Sequence, residues 1–347
     1  MSINVKRPIN WIEQGYIPDS IIRKGIRRLL KQRLKDINVD NIEKSSKSKH
    51  KLIQSMCESM IAISTDKANE QHYELPVKFY DTVLGQHNKY SCCYWDENTF
   101  TLNEAEINAL EITCQRANIT NGIKILELGC GWGSLTLWLA EHYPESEITA
   151  ISNSRSQKLY IEQRAMDMGL NNINVITCDM NDFNTNKKYD RVVSIEMFEH
   201  MRNWQQLFKN VSHCLNEDGQ FFMHIFANKN IPYFFESKDD SDWMSEYFFT
   251  GGMMPSTDLP LFFQDDLQIL KTWIWNGSHY AKTSNAWLKN MDEQRSQLMN
   301  LLTSIYDRDE AHIWWMRWRI FFMACEELFA FENGQQWYVT HYLFKKR

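Results

Sequence analysis

Two acids and an imidazole stand within five residues of one another in Ile195-Glu196-Met197-Phe198-Glu199-His200. Such a cluster can hold an ammonium and take its proton, because carboxylates attract the cation and an imidazole accepts a proton near neutral pH. Glu196 and Glu199 are three apart and Glu196 and His200 four apart, so a helical turn would set all three on one face. The blander reading is a solvated turn that feeds acids into the first turn of a helix. A second stretch with chemical content is Lys124-Ile-Leu-Glu-Leu-Gly-Cys-Gly-Trp-Gly-Ser134. Gly129, Gly131 and Gly133 alternate after an apolar run, which suits a tight loop where backbone approaches a ligand closely. A dinucleotide loop wants G-x-G-x-x-G, whereas here Ser134 stands where its last glycine would be. Glu127 would repel a pyrophosphate and welcome an ammonium. The small molecule that joins an ammonium, a carboxylate and a cationic sulfonium to a nucleoside is S-adenosylmethionine.

These residues need elements to hold them. Lys124–Leu128 reads as a buried strand and Leu135–His142 as a helix. The chain then alternates: strand 147–151, helix 156–168, strand 173–177, strand 189–195, helix 204–215, strand 220–226. That pattern predicts a mostly parallel, doubly wound α/β sheet, which binds ligands at the carboxyl ends of its strands. The second strand ends in Ser152-Asn153 with Gln157 one turn on, and amide and hydroxyl groups there suit ribose hydroxyls. The third ends in Cys178-Asp179-Met180, where a carboxylate can accept an adenine amino group and a Met side chain can lie on the ring. The alternative at each position is an ordinary strand-end turn. Upstream, the hydroxyls of Tyr90 and Ser91 in Lys89-Tyr-Ser-Cys-Cys-Tyr-Trp95 suit a carboxylate, and the rings a sulfonium. A buried aromatic loop with two structural thiols explains the same residues equally well.

At 347 residues the chain is one large domain or one domain with an appendage, and its 43% apolar content is that of a globular protein. No apolar run approaches the roughly 20 residues that span a bilayer, and the first residues lack a signal-peptide pattern, so a cytoplasmic protein is expected. The 8 cysteines form no C-x-x-C pair and no metal-spaced cluster, which argues against zinc and a disulfide framework. A net charge of −6 argues against nucleic acid as a partner. Residues 1–70 differ in character. Ser20–Asp36 places Ile21, Ile22, Ile26, Leu29, Leu30 and Leu34 on one stripe with Arg and Lys opposite, either a cap packed on the body or, less favoured, a membrane-surface helix. Ser45–Lys51 reads as a polar loop and Leu52–Ile63 as a second helix. The oligomeric state is open, a homodimer being one option.

The stretches ILELGCGWGSLTLWLAEHYP, KYSCCYW, SIEMFEHM, DWMSEYFFTGGMMPS and QWYVTHYLFKKR resemble the plant coclaurine N-methyltransferase group of the cyclopropane fatty acid synthase superfamily, over about residues 70–347. The resemblance implies a class I methyltransferase (Rossmann-like) fold in which residues 1–70 form a helical cap and 71–347 the S-adenosylmethionine-dependent domain. It implies that Tyr90, Ser91, Gly129, Gly131, Asn153, Gln157, Asp179 and Met180 contact the cofactor. Glu127 and Ile195 complete that set. Glu196, Glu199 and His200 would form the amine-side catalytic site. Cyclopropane synthases, similar near Cys92, Glu199 and His224, hold bicarbonate there with a tyrosine from a late helix. The matching stretch here, Arg319–Met323, has no tyrosine, so that site looks incomplete.

In the last third, 267–275 reads as a strand, 284–306 and 311–331 as helices, and 336–344 as the final strand. Two helices would thus form a lid inserted before the last strand, about residues 284–331. Trp314, Trp315, Trp318, Phe321, Phe322 and Phe329 lie on the second. Such a stripe is core, or core on one face and substrate wall on the other. The expected activity is N-methylation of a small aromatic or alkaloid-like amine by in-line transfer, with His200 as proton acceptor, Glu196 or Glu199 orienting the amine, and S-adenosyl-L-homocysteine as product. The alternatives are a lipid-directed methyltransferase or cyclopropane-fatty-acyl-phospholipid synthase, and a non-catalytic cofactor-binding protein.

Overall fold

A computed structural model of the protein describes residues 6–37, 40–63, 75–235 and 243–347. The helices α1 (Lys6–Glu13), α2 (Asp19–Asp36) and α3 (Ile42–Cys57) precede α4 (Val77–Val83) and α5 (Leu102–Arg116). Then follow β1 (Lys124–Leu128), α6 (Ser134–His142), β2 (Glu147–Ser152), α7 (Arg155–Asp167), β3 (Ile173–Thr177), β4 (Tyr189–Ile195), α8 (Trp204–Cys214) and β5 (Leu215–Asn228). A small β6 (Tyr233–Phe234) and β7 (Met253–Met254) flank α9 (Trp243–Tyr247). The chain closes with β8 (Leu267–Trp275), α10 (Gly277–Glu293), α11 (Arg295–Thr303), α12 (Arg308–Ala330) and β9 (Trp337–Lys346).

The expected sheet is present: 7 strands in the order β3-β2-β1-β4-β5-β9-β8. The strands β1 to β5 pair in parallel, and β9 runs antiparallel to both β5 and β8. In β1, Ile125 to Leu128 are all buried, the signature of a parallel strand covered on both faces. The order reverses at β1, between β2 and β4, and this switch point opens the crevice that receives a ligand.

Local chemistry sets the ends of these elements. Thr101 and Glu104 form a reciprocal capping box at the start of α5. Asn41 accepts from Lys44 N–H and starts α3 at Ile42, so the expected polar loop at 45–51 is helical instead. Its serines and lysines tolerate a helix because that face is largely exposed. The lid does lie between the last two strands, but as three helices. Asn276 caps α10 at Gly277 rather than Ser284, and Gln294, off helical geometry, separates α10 from α11.

The basic helix α2 packs on α12, with Ile22 and Leu34 buried and Ile21 and Leu29 exposed. Arg23 bridges Glu326 and Glu327, and Arg27 bridges Glu327. Arg319 joins Asp19 of α2 to Asp292 of α10. Part of the basic face is therefore spent on the lid. Residues 1–5, 38–39 and 64–70 of the expected cap, and residues 236–242, which include the first residue of the stretch DWMSEYFFTGGMMPS, lie outside the described residues. No helix among the described residues is long and apolar enough to cross a membrane.

Candidate active site

Three cavities meet at the carboxyl ends of β1 to β4. The first is lined by Tyr90, Ser91, Glu127, Gly129, Ile195 and Glu196. The second is lined by Asn153, Gln157, Met180, Met197, His200 and Glu196. The third is aromatic, with Phe226, Phe249, Trp287, Phe321, Phe329 and Tyr280 around Tyr90, His200 and Glu196. Glu196 lines all three.

The glycine loop makes room for a ligand. Gly129, Gly131 and Gly133 all hold positive φ, at 77°, 53° and 81°. A Cβ on Gly129 would lie 2.5 Å from Met197 Cγ, whereas one on Gly131 would meet nothing within 4 Å and would project into open space. Glu127 is buried at 2% exposure, and Thr136 donates to its Oε2 at 2.5 Å. Burial pushes its pKa up to about 8, a carboxyl that gains from a cationic partner.

The loop carrying Tyr90 is anchored by a buried acid that sequence reasoning missed. Glu106 of α5 accepts N–H groups from Gly85, His87 and Lys89 at 3.0, 2.8 and 3.1 Å. Burial raises its pKa to about 7. Lys89, only 4% exposed, donates from Nζ to Ser91 Oγ at 2.5 Å and to the Cys92 carbonyl at 2.9 Å. On the nucleoside side, Gln157 Oε1 accepts from Ser152 Oγ at 2.6 Å, while its buried Nε2 has no hydrogen-bond partner among the described residues and is available to a ligand hydroxyl. Asp179 accepts from Asn181 N–H at 2.7 Å and lies at the rim, outside these cavity walls.

A left-handed backbone at Glu196, φ 49°, turns its side chain inward after β4. The helical turn begins only at Phe198, so the three groups do not share one face as expected. Glu196 Oε1 accepts from Cys92 N–H at 2.8 Å and from His224 Nε2 at 3.1 Å, and Oε2 accepts from Tyr280 OH at 2.6 Å. A tyrosine does reach this acid, from α10 rather than from 319–323. No periodicity singles out Tyr280 in the sequence; only the fold of α10 over β4 brings it in. The three donors that would suit a free anion are occupied by the chain's own carboxylate. Burial raises the pKa of Glu196, against the lowering effects of Lys89, Tyr280 and Cys92 N–H.

Glu199 goes elsewhere. Fully buried, it accepts Phe226 N–H at 2.7 Å, behind the cavity wall rather than in it. Burial and the neighbouring Glu196 push its pKa well up. His200 does face the cavities, its ring stacked on Phe249 at 5.5 Å and 8°. Burial lowers its pKa to about 4, so it is neutral at pH 7. Of the expected aromatic stripe, Phe321 and Phe329 line the third cavity, while Trp315, Trp318 and Phe322 are buried in the lid's core. The walls also draw on Phe249, from the stretch DWMSEYFFTGGMMPS, and on Trp287, which the sequence did not single out.

The open cradle over Gly131, the buried acid at Glu127 and the orphan donor of Gln157 fit a nucleoside with a zwitterionic tail. Comparison with known proteins agrees. Residues 62–339 match the mycolic acid cyclopropane synthetase family. The (S)-coclaurine N-methyltransferase of Thalictrum flavum subsp. glaucum is 36% identical over 340 residues, covering 97% of this chain and 94% of that protein. The (S)-tetrahydroprotoberberine N-methyltransferase of Eschscholzia californica is 35% identical, covering 96% of each. A crystal structure of coclaurine N-methyltransferase bound to N-methylheliamine and SAH superposes with a TM-score of 0.96 at 34% identity, covering 99% of this chain and 100% of that one. The chain belongs to the mycolic acid cyclopropane synthetase family and is an S-adenosylmethionine-dependent methyltransferase resembling the coclaurine N-methyltransferases.

Proposed function

We propose that this methyltransferase acts on the nitrogen of a small aromatic amine of the alkaloid class. The observation that carries the reading is the state of Glu196. A carboxylate has about four lone-pair positions; three are taken, by Cys92, His224 and Tyr280, and the remaining one belongs to Oε2, where the nucleoside cavities meet the aromatic one. An N–H of an amine fits there. Tyr280 stacks on Phe329 at 4.2 Å and 13°, a wall suited to a flat ring. The relatives named for (S)-coclaurine and (S)-tetrahydroprotoberberine support the same substrate class.

When bound, the cofactor supplies an electrophilic methyl group on a sulfonium. The protein's task is to present a nitrogen lone pair to it. An alkylammonium with pKa near 10 costs about 4 kcal/mol to deprotonate to solvent at pH 7, but about 8 kcal/mol to deprotonate to an imidazole six units below it. With His200 held at about 4 by burial, its part is to accept a hydrogen bond from the neutral amine and orient it. Glu196, whose pKa burial raises, is the better proton acceptor of the two. Tyr90 closes the wall between the nucleoside and amine cavities, and the lid helices keep water out.

The test is a screen of purified protein with labelled cofactor against primary, secondary and aromatic amines, with unsaturated phospholipid as competitor. Methylation and cyclopropanation add the same CH2, so NMR of the product decides. Label recovered only as a ring on the acyl chain would overturn the reading.

A further inference from the structure

Behind Glu196, away from the cavities, two buried histidines lie directly opposite each other on adjacent strands: His224 on β5 and His341 on β9. Their rings are tilted by 31° with centroids 4.6 Å apart, and Trp275 of β8 covers both, at 5.4 Å and 4.4 Å. Among the described residues each ring is held through one nitrogen. His224 Nε2 contacts Glu196 Oε1 at 3.1 Å, and Arg116, the last residue of α5, contacts His341 Nδ1 through Nη1 at 2.8 Å. The inner nitrogens, His224 Nδ1 and His341 Nε2, have no hydrogen-bond partner among the described residues. The guanidinium lies over Trp273 and Trp275 at 5.2 and 5.6 Å, so Arg116 is braced as well as bonded.

Donor and acceptor chemistry then dictates the protonation of the whole row. A guanidinium has donors and no acceptor, so His341 Nδ1 must present a lone pair and its proton must sit on Nε2. That excludes an imidazolium at His341 for as long as Arg116 is in place. At the other end a carboxylate only accepts, so His224 carries its proton on Nε2. A second proton on His224 would sit on Nδ1, buried without an acceptor, in a ring packed against His341 and Trp275 and within the field of the Arg116 cation. Both imidazoles are therefore neutral Nε2–H tautomers.

We propose that Arg116 and His341 are positioning residues for methyl transfer: they lock His224 in its neutral donor form, so that the negative charge of Glu196 is oriented but not cancelled, and is left for the amine. A protonated His224 would make a closed ion pair with Glu196 and remove the charge the amine needs. The role assigned to Glu196 rests on the function proposed above; the tautomer lock itself does not.

The charged and titratable groups around this row come from every neighbouring element. Glu196 faces Lys89 and Cys92 from the loop before α5, Glu199 and His200 from its own turn, Tyr280 from α10 and Cys325 from α12. The two imidazoles face each other, Lys89 and Arg116, and Arg116 faces Tyr94. Burial and these cations all act to lower both imidazoles.

Side-chain nitrogen NMR of the full chain, labelled at histidine and without substrate, reads the lock directly. Both rings should remain Nε2–H tautomers from about pH 8 to about pH 5. Arg116→Met should release them, so that at least one titrates in that window, and Arg116→Lys should hold them neutral. Either ring found as the Nδ1–H tautomer, or titrating in the unaltered chain, overturns the proposal even if no variant folds. With an amine that is methylated, Arg116→Met should move the acid limb of kcat/KM up by about one pH unit, with SAH affinity within about twofold. A loss of turnover equal at every pH would mark a merely structural role and overturn the link to Glu196. If no amine is methylated while the NMR result holds, it is the proposed function that fails and not the lock.

Discussion

Tyr280 donates its hydroxyl proton to Glu196 Oε2 at 2.6 Å, joining the first lid helix to the end of β4 across 84 residues of sequence. The lid is thereby tied to the acid proposed to receive the amine, so the packing of α10 and the charge at the site are coupled. A hydrogen bond to a charged acceptor contributes about 1.5–3 kcal/mol. Tyr280→Phe should lower kcat/KM about 10- to 100-fold and leave SAH affinity unchanged by calorimetry. Losing a donor also raises the pKa of Glu196, so the acid limb should move up; wild-type kinetics in this variant would break the coupling.

Glu127 predicts a proton count. With a free-protein pKa of about 8, it is largely protonated at pH 7 and must ionise to receive an ammonium. Cofactor binding below that pKa should release a proton, and affinity should rise toward pH 8 and level off above it. Calorimetry in buffers of different ionisation enthalpy measures the release. Glu127→Gln should abolish it and weaken SAH binding; the same proton count in the variant would place the titration elsewhere.

Two glycines separate folding from binding. Gly131→Ala keeps a strained positive φ, costing about 1 kcal/mol, but its methyl meets no protein atom within 4 Å at a position that lines the first two cavities, where it should obstruct the cofactor. Gly129→Ala drives a methyl into Met197 at 2.5 Å and disturbs the turn that aims Glu196. Thermal midpoints should fall clearly in the second variant and little in the first, while both lose SAH affinity. Equal midpoints would contradict the packing at Gly129.

His200 has a pH signature of its own. Its folded pKa of about 4 lies below the usual 6.5, so its neutral form contributes stability that is complete above about pH 6.5 and is lost as pH falls through 4. His200→Gln should be less acid-sensitive in its unfolding midpoint. It should also keep more turnover than His200→Ala, because an amide oxygen still accepts a hydrogen bond. Equal and complete loss in both would instead make the imidazole an obligatory proton acceptor.

Much of the site was legible in the sequence because it is local. The strand, glycine loop and helix at 124–142 are adjacent in the chain, and alternating glycines after an apolar run mark a tight turn that needs positive φ. The same holds for Asn153 and Gln157 after β2, and for Glu196 and His200 after β4, since parallel strands deliver their ends to one edge. The lid's place before the last strand was likewise readable from the order of strand and helix patterns. Its third helix was not, because the break at Gln294 carries neither Gly nor Pro.

What the chain's linear order determined by itself is the frame and the cofactor edge: periodicity and glycine spacing act over a few residues and need no partner. Tertiary structure alone decided which acid lines the cavities. Glu196 and Glu199 are interchangeable in the sequence, yet a single left-handed residue and three donors from Cys92, His224 and Tyr280 turn one into the cavity, while Phe226 N–H holds the other behind its wall. The physical reason is that a buried carboxylate goes where its donors are, and these donors come from segments far apart in the chain.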